Sequence, residues 1–579
     1  MSDKLRVMLT TEGTYPFHQG GVSTWCDILV HNLKEVDYVV YSVIMNPYVT
    51  QKFTLPEEAA LIKVPLWGTE EPSEHLTTPF SQVYMSKKRT TDKVVRDKFI
   101  PLFTELIDEL LSVEKNSCRL GMTLVELYKY FQEYEYKKSF KSQLTWNAYK
   151  EKALEFASKA ENKLENPSVN SLIQSMGWIY RFLNILNTPL PKVHVTHSAA
   201  AAFCGIPCVV AKIKDGTPYM LTEHGVYLRE QYLSLVQRKY SSYLSTFLIR
   251  MIHSVVNLNY AYADQVSPVC DYNTRWERKF GVKPENIRVI YNGVDKNVFS
   301  PLTSQGKNSY PTVVTIARVD PVKDMLTLLR AAAIVKAKIP EVRFIVYGSV
   351  SVPSYYDECL ALKNELNLGE NFVFAGHTSD MPAAYRSGDV VVLSSISEAF
   401  PYSVVEAMMC GKPVVATDVG GIKEALGDTG IVVSPRQPQE LADAVTNLLG
   451  DAGLRTTLGE EARQRALNYF TIGKVLEHHL KSYITLGVKV NKARSTVGST
   501  RKQKLYLERG LALMGLGFYN EAAAQFTNAA NAAPNSPGVP AILALKADIY
   551  SMMGQKEKAS GEIEKAELLE KINNARYSA

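Results

Sequence analysis

Five short apolar runs punctuate the second half of the chain: "TVVTIARV" (312–319), "VRFIVYG" (342–348), "NFVFAG" (371–376), "DVVVLSS" (389–395) and "KPVVATD" (412–418). Each ends in polar residues or glycine. Helix-forming stretches fill the gaps: "MLTLLRAAAIVKAK", "YDECLALKNELN", "MPAAYRSG" and "VVEAMMCG". Strands that are apolar throughout, not on alternate residues, must be covered on both faces. Their alternation with helices predicts a parallel, doubly wound sheet over 296–488, closing with helices near 438–450 and 455–486. The same pattern opens the chain. "LRVMLTTEG" (5–13) reads as a strand and a turn. "HQGGVSTWCDILVHNL" reads as a Gly-rich loop entering a helix with Val22, Trp25, Ile28, Leu29 and Leu33 on one side, and "YVVYSVIM" (38–45) as the next strand. Strand signals return at "KVHVTHS", "PYMLTEHG", "ADQVSPVC" and "NIRVIYNGVD", around a long helical region at 228–258. Residues 1–295 therefore read as a first doubly wound domain. Between about 83 and 190 the period is helical instead, as in "FIPLFTELIDELLSV", which predicts a helical insertion in that domain.

The polar stretch "VNKARSTVGSTRKQK", within 489–504, carries no hydrophobic period and reads as a linker. Residues 505–579 read as an all-helical tail. There Gly510, Gly517, Tyr519, Ala522, Phe526, Ala529 and Pro534 follow the tetratricopeptide spacing of small residues, gap-filling aromatic and terminal proline. With 579 residues, 46% hydrophobic and 21% charged, the chain has the composition of a multidomain globular protein. A net charge of +6 without a dense basic stripe argues against nucleic acid as the ligand. The run "SKKRTTDK" (86–93) reads as a solvated helix start. Seven cysteines, an odd number without a C-x-x-C pair, argue against a disulfide framework or a structural zinc and fit a reducing cytosol. No apolar run reaches membrane-spanning length and no leader pattern opens the chain, so a cytoplasmic protein is expected.

In open parallel sheets the ligand crevice lies at the carboxyl ends of the strands. "ARVDPVKD" brings Arg318 and Lys323 to such an end, and two cations there suit a diphosphate. "SSISEAFPYSVVEAMMCGKPVVATDVGG" follows the "DVVVL" strand and brings Glu398 to the same edge. Pro401 suits the first turn of the next helix, where the amides of Tyr402, Ser403 and Val404 would face an anion. Glu406 lies one turn into that helix. A carboxylate accepts two hydroxyl hydrogens at once, so the two glutamates suit vicinal diols on either side of a diphosphate: a sugar near Glu398 and a ribose near Glu406.

The segment from Glu398 to Gly421 resembles the E-x7-E region of the family-four retaining glycosyltransferases, which have the GT-B architecture: two facing Rossmann-like domains. The resemblance implies that Arg318 and Lys323 bind the donor diphosphate, Glu398 the donor sugar and Glu406 the ribose. It adds Gly376, Phe400, Pro401, Tyr402, Ser403 and Val404 to the donor site, with Pro401-Tyr402 standing where relatives usually carry Gly-Leu. In the first domain, Gly20 and Gly21 of "FHQGGVSTW" would approach the donor phosphates, and His224 of "TEHGVYLRE" would contact the donor sugar. His197 is a second cleft candidate, and Glu223 a supporting one. "TTEGTYPFHQGGVSTW" together with "LTEHGVYLRE" resembles the PelF branch of exopolysaccharide transferases over residues 1–485. The expected activity is transfer of a hexose from UDP-glucose or a UDP-N-acetylhexosamine to a growing glycan, with UDP as product and no metal or other cofactor. A membrane-bound partner for the tail, and a place on the inner face of the cell membrane, are further expectations. The alternatives are a family-four transferase making another glucan or glycoside, and a non-catalytic nucleotide-binding scaffold.

Overall fold

The computed structural model describes residues 4–68, 78–301, 309–487, 499–534 and 536–577. Two six-stranded sheets, each parallel throughout, form two lobes. The first holds β1 (Leu5–Glu12), β2 (Val36–Ile44), β3 (Ala60–Pro65), β4 (Val195–Ser198), β5 (Tyr219–Glu223) and β6 (Gln265–Pro268) in the order β3-β2-β1-β4-β5-β6. The second holds β7 (Thr312–Ile316), β8 (Arg343–Tyr347), β9 (Phe372–Gly376), β10 (Val390–Leu393), β11 (Val414–Thr417) and β12 (Ile431–Val433) in the order β12-β11-β10-β7-β8-β9. Counted from their own first strands, both sheets have the doubly wound order 3-2-1-4-5-6. The central strands are apolar throughout because helices cover both faces: Val7, Met8, Leu9, Val313 and Val314 are all fully buried.

All five runs in the second half are strands, and so are the predicted strands of the first domain up to β6. "NIRVIYNGVD" is not a strand; it runs beside one, as an isolated bridge from Ile287 to Val266. β3 and β12 escaped the sequence reading. Both are edge strands, and "ALIKVP" and "IVV" are too short or too polar to make an apolar run.

Between β3 and β4 the chain forms the predicted helical insertion, from Phe80 to Asn187. Its core is continuous with that of the first lobe: Met8, Tyr41 and Val64 of the sheet share one buried cluster with Phe99, Phe103, Phe131, Tyr136 and Phe140, whose rings pack at centroid distances of 4.6–5.8 Å. "SKKRTTDK" is not a helix start. It ends the helix Phe80–Arg89, and Thr91 then caps the next turn by accepting the Val94 amide.

The two lobes are joined twice. Val294 donates to the Phe470 carbonyl at 2.9 Å and accepts from the Ile472 amide at 3.1 Å, so the outgoing and returning strands of chain run side by side. The helix Ile472–Gly487 belongs with the first lobe, not with the second domain as its place in the sequence suggested. Tyr483 lies against Tyr38 and His197, and His479 against Trp25.

Of the stretch read as a linker, 489–498 lie outside the described residues, and the chain is helical from Ser499. The tail is two helical hairpins: Ser499–Gly515 with Tyr519–Ala532, and Val539–Met552 with Lys556–Tyr577. Gly517 and Gly554 turn the chain at φ +80° and +73°, which glycine reaches without strain. Gly510 lies under the ring of buried Phe526, where a Cβ would stand 2.4 Å from it. Lys481 anchors the tail, with Nζ donating to Glu477 at 2.6 Å and to Glu521 of the tail at 2.5 Å.

Candidate active site

Both sheets reverse their winding between the first and fourth strands in chain order, and a crevice opens at the carboxyl ends there. In the second lobe those strands are β7 and β10, which lead into Arg318–Lys323 and Ser394–Pro401. In the first lobe they are β1 and β4, which lead into 13–20 and 199–202.

Lys323 is held by its own turn. Asp320 accepts the Val322 amide at 3.0 Å and winds Pro321–Lys323 into a single 3-10 turn. The Ser394 hydroxyl donates to the Lys323 carbonyl at 2.9 Å, and the Ile396 amide to the Val322 carbonyl at 2.9 Å. The lysine turn and the Glu398 loop are thereby fastened together. Lys323 Nζ donates to Glu398 Oε1, and the Ser395 hydroxyl donates to the same oxygen at 2.6 Å. The two side chains are only 18% and 11% exposed, so each charge depends on the other for compensation. The glycine pair closing the sequence motif fixes this loop from below. Gly420, at φ +60°, passes so close that a Cβ would stand 1.9 Å from the Glu398 carbonyl, and the Gly421 amide donates to Ala399 at 2.7 Å. Arg318 stands farther out, its side chain 63% exposed, donating to Ser351 Oγ at 3.1 Å.

Glu406 accepts from the Tyr385 hydroxyl at 2.6 Å. Burial pushes its carboxyl up to about 7, opposed by that hydrogen bond. Tyr385 was not among the sequence candidates; it lies in "MPAAYRSG", and only the fold brings it to Glu406. Pro401 caps the helix Tyr402–Met409 from outside instead of occupying its first turn. Its carbonyl is consequently free to accept the Val404 amide, at 3.3 Å. Of the three amides expected to be free, that of Val404 is therefore paired. Phe400 is also corrected: its ring packs into the core 5.3 Å from Tyr291 and Phe470, so its side chain does not line the crevice. Gly376 ends β9, the outer strand of the sheet, and is separated from β7 by β8.

Across the cleft, Gly20 and Gly21 are exposed at the start of the helix Gly21–Asn32. Gly20 has extended backbone, and a Cβ there would meet nothing within 4 Å. A Cβ on Gly21 would sit 3.5 Å from the Tyr402 ring of the other lobe. Arg229 Nη1 donates to Ser397 Oγ at 2.9 Å, a second contact between the lobes beside Glu398. The Tyr402 hydroxyl is buried and has no hydrogen-bond partner among the described residues.

His224 follows β5, with its ring edge-on to Trp25 at 4.6 Å. Burial lowers its pKa to about 3, so the imidazole is neutral, and its Nε2 finds no partner among the described residues. It lines a cavity of about 320 Å³ with Glu12, Thr14, Glu223, Tyr227 and Glu230. Glu223 accepts from the Ala201 amide at 2.6 Å and the Tyr260 hydroxyl at 3.0 Å, and burial raises its pKa to about 8. Glu12 was missed, although its place at the carboxyl end of the first strand was a usable signal. It accepts from the Tyr227 hydroxyl at 3.0 Å and the Cys204 amide at 3.1 Å. His197 is not on this cavity. It is fully buried in β4, with Nδ1 bonded to Tyr483 and Nε2 to Thr222, both at 2.7 Å, so it braces the interior.

Two facing doubly wound lobes, linked by paired crossings, with crevices at both switch points, are the GT-B fold. Residues 303–465, in the second lobe, match the family described as "Glycosyl transferases group 1". Residues 5–285 match one described only as "Domain of unknown function (DUF3492)". Curated relatives include D-inositol 3-phosphate glycosyltransferases. That of Mycobacterium sp. strain KMS is 36% identical over 31% of this chain and 43% of the relative. That of Mycobacterium bovis is 34% identical over 35% of this chain and 44% of the relative. The chain thus spans less than half the length of these relatives. Similar solved structures include sucrose-phosphate synthase from Thermosynechococcus elongatus (TM-score 0.53, 17% identity, 83% of this chain and 99% of that one). Another is Anabaena HepE in complex with UDP and glucose (TM-score 0.50, 16% identity, 83% of this chain and 99% of that one).

Proposed function

We propose that this protein transfers a hexose from UDP-glucose or a UDP-N-acetylhexosamine to a growing glycan, with retention at the anomeric carbon, in the manner of the PelF exopolysaccharide transferases. One observation carries the reading: Lys323, Glu398 and Ser395 form a single hydrogen-bonded cluster at the switch point of the second lobe, whose Tyr402 ring faces Gly21 of the first. Such a cluster fits a ligand carrying a diphosphate next to a polyol. The donor displaces Lys323 from Glu398: the cation turns to the diphosphate, and the freed carboxylate accepts sugar hydroxyls. Arg318, at the rim, supplies the second positive charge. Glu406, braced by Tyr385, takes the ribose diol. The neutral His224 offers Nε2 to the sugar without competing for the phosphate as a cation would.

In the reaction, the bond from the anomeric carbon to the phosphate oxygen breaks, and its electron pair leaves with UDP. The acceptor hydroxyl oxygen bonds to the same face of that carbon, and its proton passes to the departing phosphate oxygen. Lys323 and Arg318 stabilise the charge developing on the diphosphate, the largest electrostatic demand of the step. No further cofactor takes part in this scheme. We read the tail hairpins as a tetratricopeptide-like module for a partner protein, with Gly510 under Phe526 as the supporting contact.

UDP release from a panel of UDP-sugars tests the reading. Turnover is expected with at least one donor, and Lys323→Ala is expected to lower kcat by about 10²–10³ and also to lower the melting temperature, because Glu398 loses its buried counter-charge. Nucleotide binding without release from any donor would instead identify a scaffold.

A further inference from the structure

The helix Phe80–Arg89 buries none of its ten residues. Phe80 is 83% exposed, Tyr84 55% and Met85 43%, and the Phe80 and Tyr84 rings stack at 6.3 Å on one face. Isolated exposed apolar residues are ordinary, but an aromatic pair stacked in solvent on a helix with no buried face is not. The same helix ends in Lys87, Lys88 and Arg89. Residues 86–98 hold six Lys or Arg against two Asp.

Lys87 also stands on the wall of a cavity of about 700 Å³ in the helical insertion. Its other cations are Arg96, Lys137, Lys138 and Lys141, against Asp92 and Glu135. Glu135 is already engaged, accepting the Lys137 amide at 3.1 Å and the Lys138 amide at 2.5 Å. Lys138 Nζ donates to the Lys87 carbonyl at 3.2 Å, which joins the cavity to the aromatic helix in one surface. The surface is built from residues of the insertion, none of which is assigned to the donor.

We propose that this surface docks the protein on an anionic lipid bilayer. Phe80, Tyr84 and Met85 enter the interfacial layer, and the basic cavity receives anionic headgroups. Exposed aromatic residues beside clustered cations complement such an interface in both properties at once: apolar area for the acyl boundary and charge for the headgroups. No helix among the described residues is long and apolar enough to cross a membrane, so the contact is peripheral.

Vesicle flotation of the full chain tests the inference independently of any transferase activity. The wild type is expected to float with phosphatidylcholine vesicles containing about 30% phosphatidylglycerol, not with phosphatidylcholine alone, and to be released by high salt. The variant Lys137→Glu/Lys138→Glu/Lys141→Glu should lower partitioning by at least about 100-fold, at several-fold for each lysine lost. Phe80→Ser/Tyr84→Ser should lower it by about tenfold or more. Both variants should keep the wild-type melting temperature and the wild-type affinity for UDP. Failure of the wild type to float on anionic vesicles would overturn the proposal. So would flotation indifferent to both variants, or capture by an RNA oligomer but not by vesicles.

Discussion

At the residue scale, the account turns on carboxylates whose charge is set by their surroundings. Glu406 is the clearest case: its pKa is raised from 4.5 to about 7, chiefly by burial. Only the ionised form can accept both hydroxyls of a diol, as the proposed ribose contact requires, and ionisation is lost as the pH falls through 7. Donor affinity should therefore be constant above about pH 8 and weaken by up to about tenfold per unit between pH 7 and 5. A sugar ester of UDP does not itself titrate in this range, so calorimetric titration with it isolates the protein group. Glu406→Gln should bind more weakly at pH 8 and lose the pH dependence; a Gln variant with the wild-type profile would assign the titration elsewhere. The residues that made this site legible, Arg318, Lys323, Glu398 and Glu406, are charges in the two segments that follow β7 and β10. Tyr385, which holds Glu406, and Ser395, which shares Glu398 with Lys323, left no such mark. One is an aromatic in an ordinary helix and the other a serine in a serine-rich loop. His197 shows the opposite failure, since a polar residue at a strand end can as well brace the interior.

At the element scale, two glycines separate backbone requirements from ligand requirements. Gly420 sits at φ +60° with its α-carbon against the Glu398 carbonyl, so Gly420→Ala must push the Glu398 loop aside. The strained conformation alone costs about 1–2 kcal/mol, and the clash adds to it. A drop of several degrees in melting temperature together with lost turnover is expected. Gly20→Ala meets no protein atom and has extended backbone, so the fold should melt unchanged. A fall in donor affinity in that variant would then place the donor against this backbone, whereas full affinity would remove Gly20 from the site. The strands were legible because a sheet buried on both faces leaves unbroken apolar runs. The edges were not, because β3 and β12 are short and partly solvated. The place of the helix Ile472–Gly487 was hidden for another reason: an amphipathic pattern shows that a face is buried, not which lobe buries it.

At the scale of the whole molecule, the two lobes are tied at the paired crossing and beside it, where the Asp271 and Tyr272 amides of the first lobe donate to Glu424 of the second. Gly293 lies at the crossing, with no room for a side chain: a Cβ would stand 2.7 Å from the Thr471 carbonyl. Such a tie permits closure about the crossing, which would exclude water from the donor. Small-angle scattering should show a smaller radius of gyration with a UDP-sugar than without, and Gly293→Ala should blunt that change. The most direct test of the central claim is a crystal structure with a UDP-sugar bound. The account predicts the diphosphate within hydrogen-bonding distance of Lys323 Nζ, Glu398 on the sugar and Glu406 on the ribose. A donor seated elsewhere, or a Lys323–Glu398 pair left intact beside it, would contradict it.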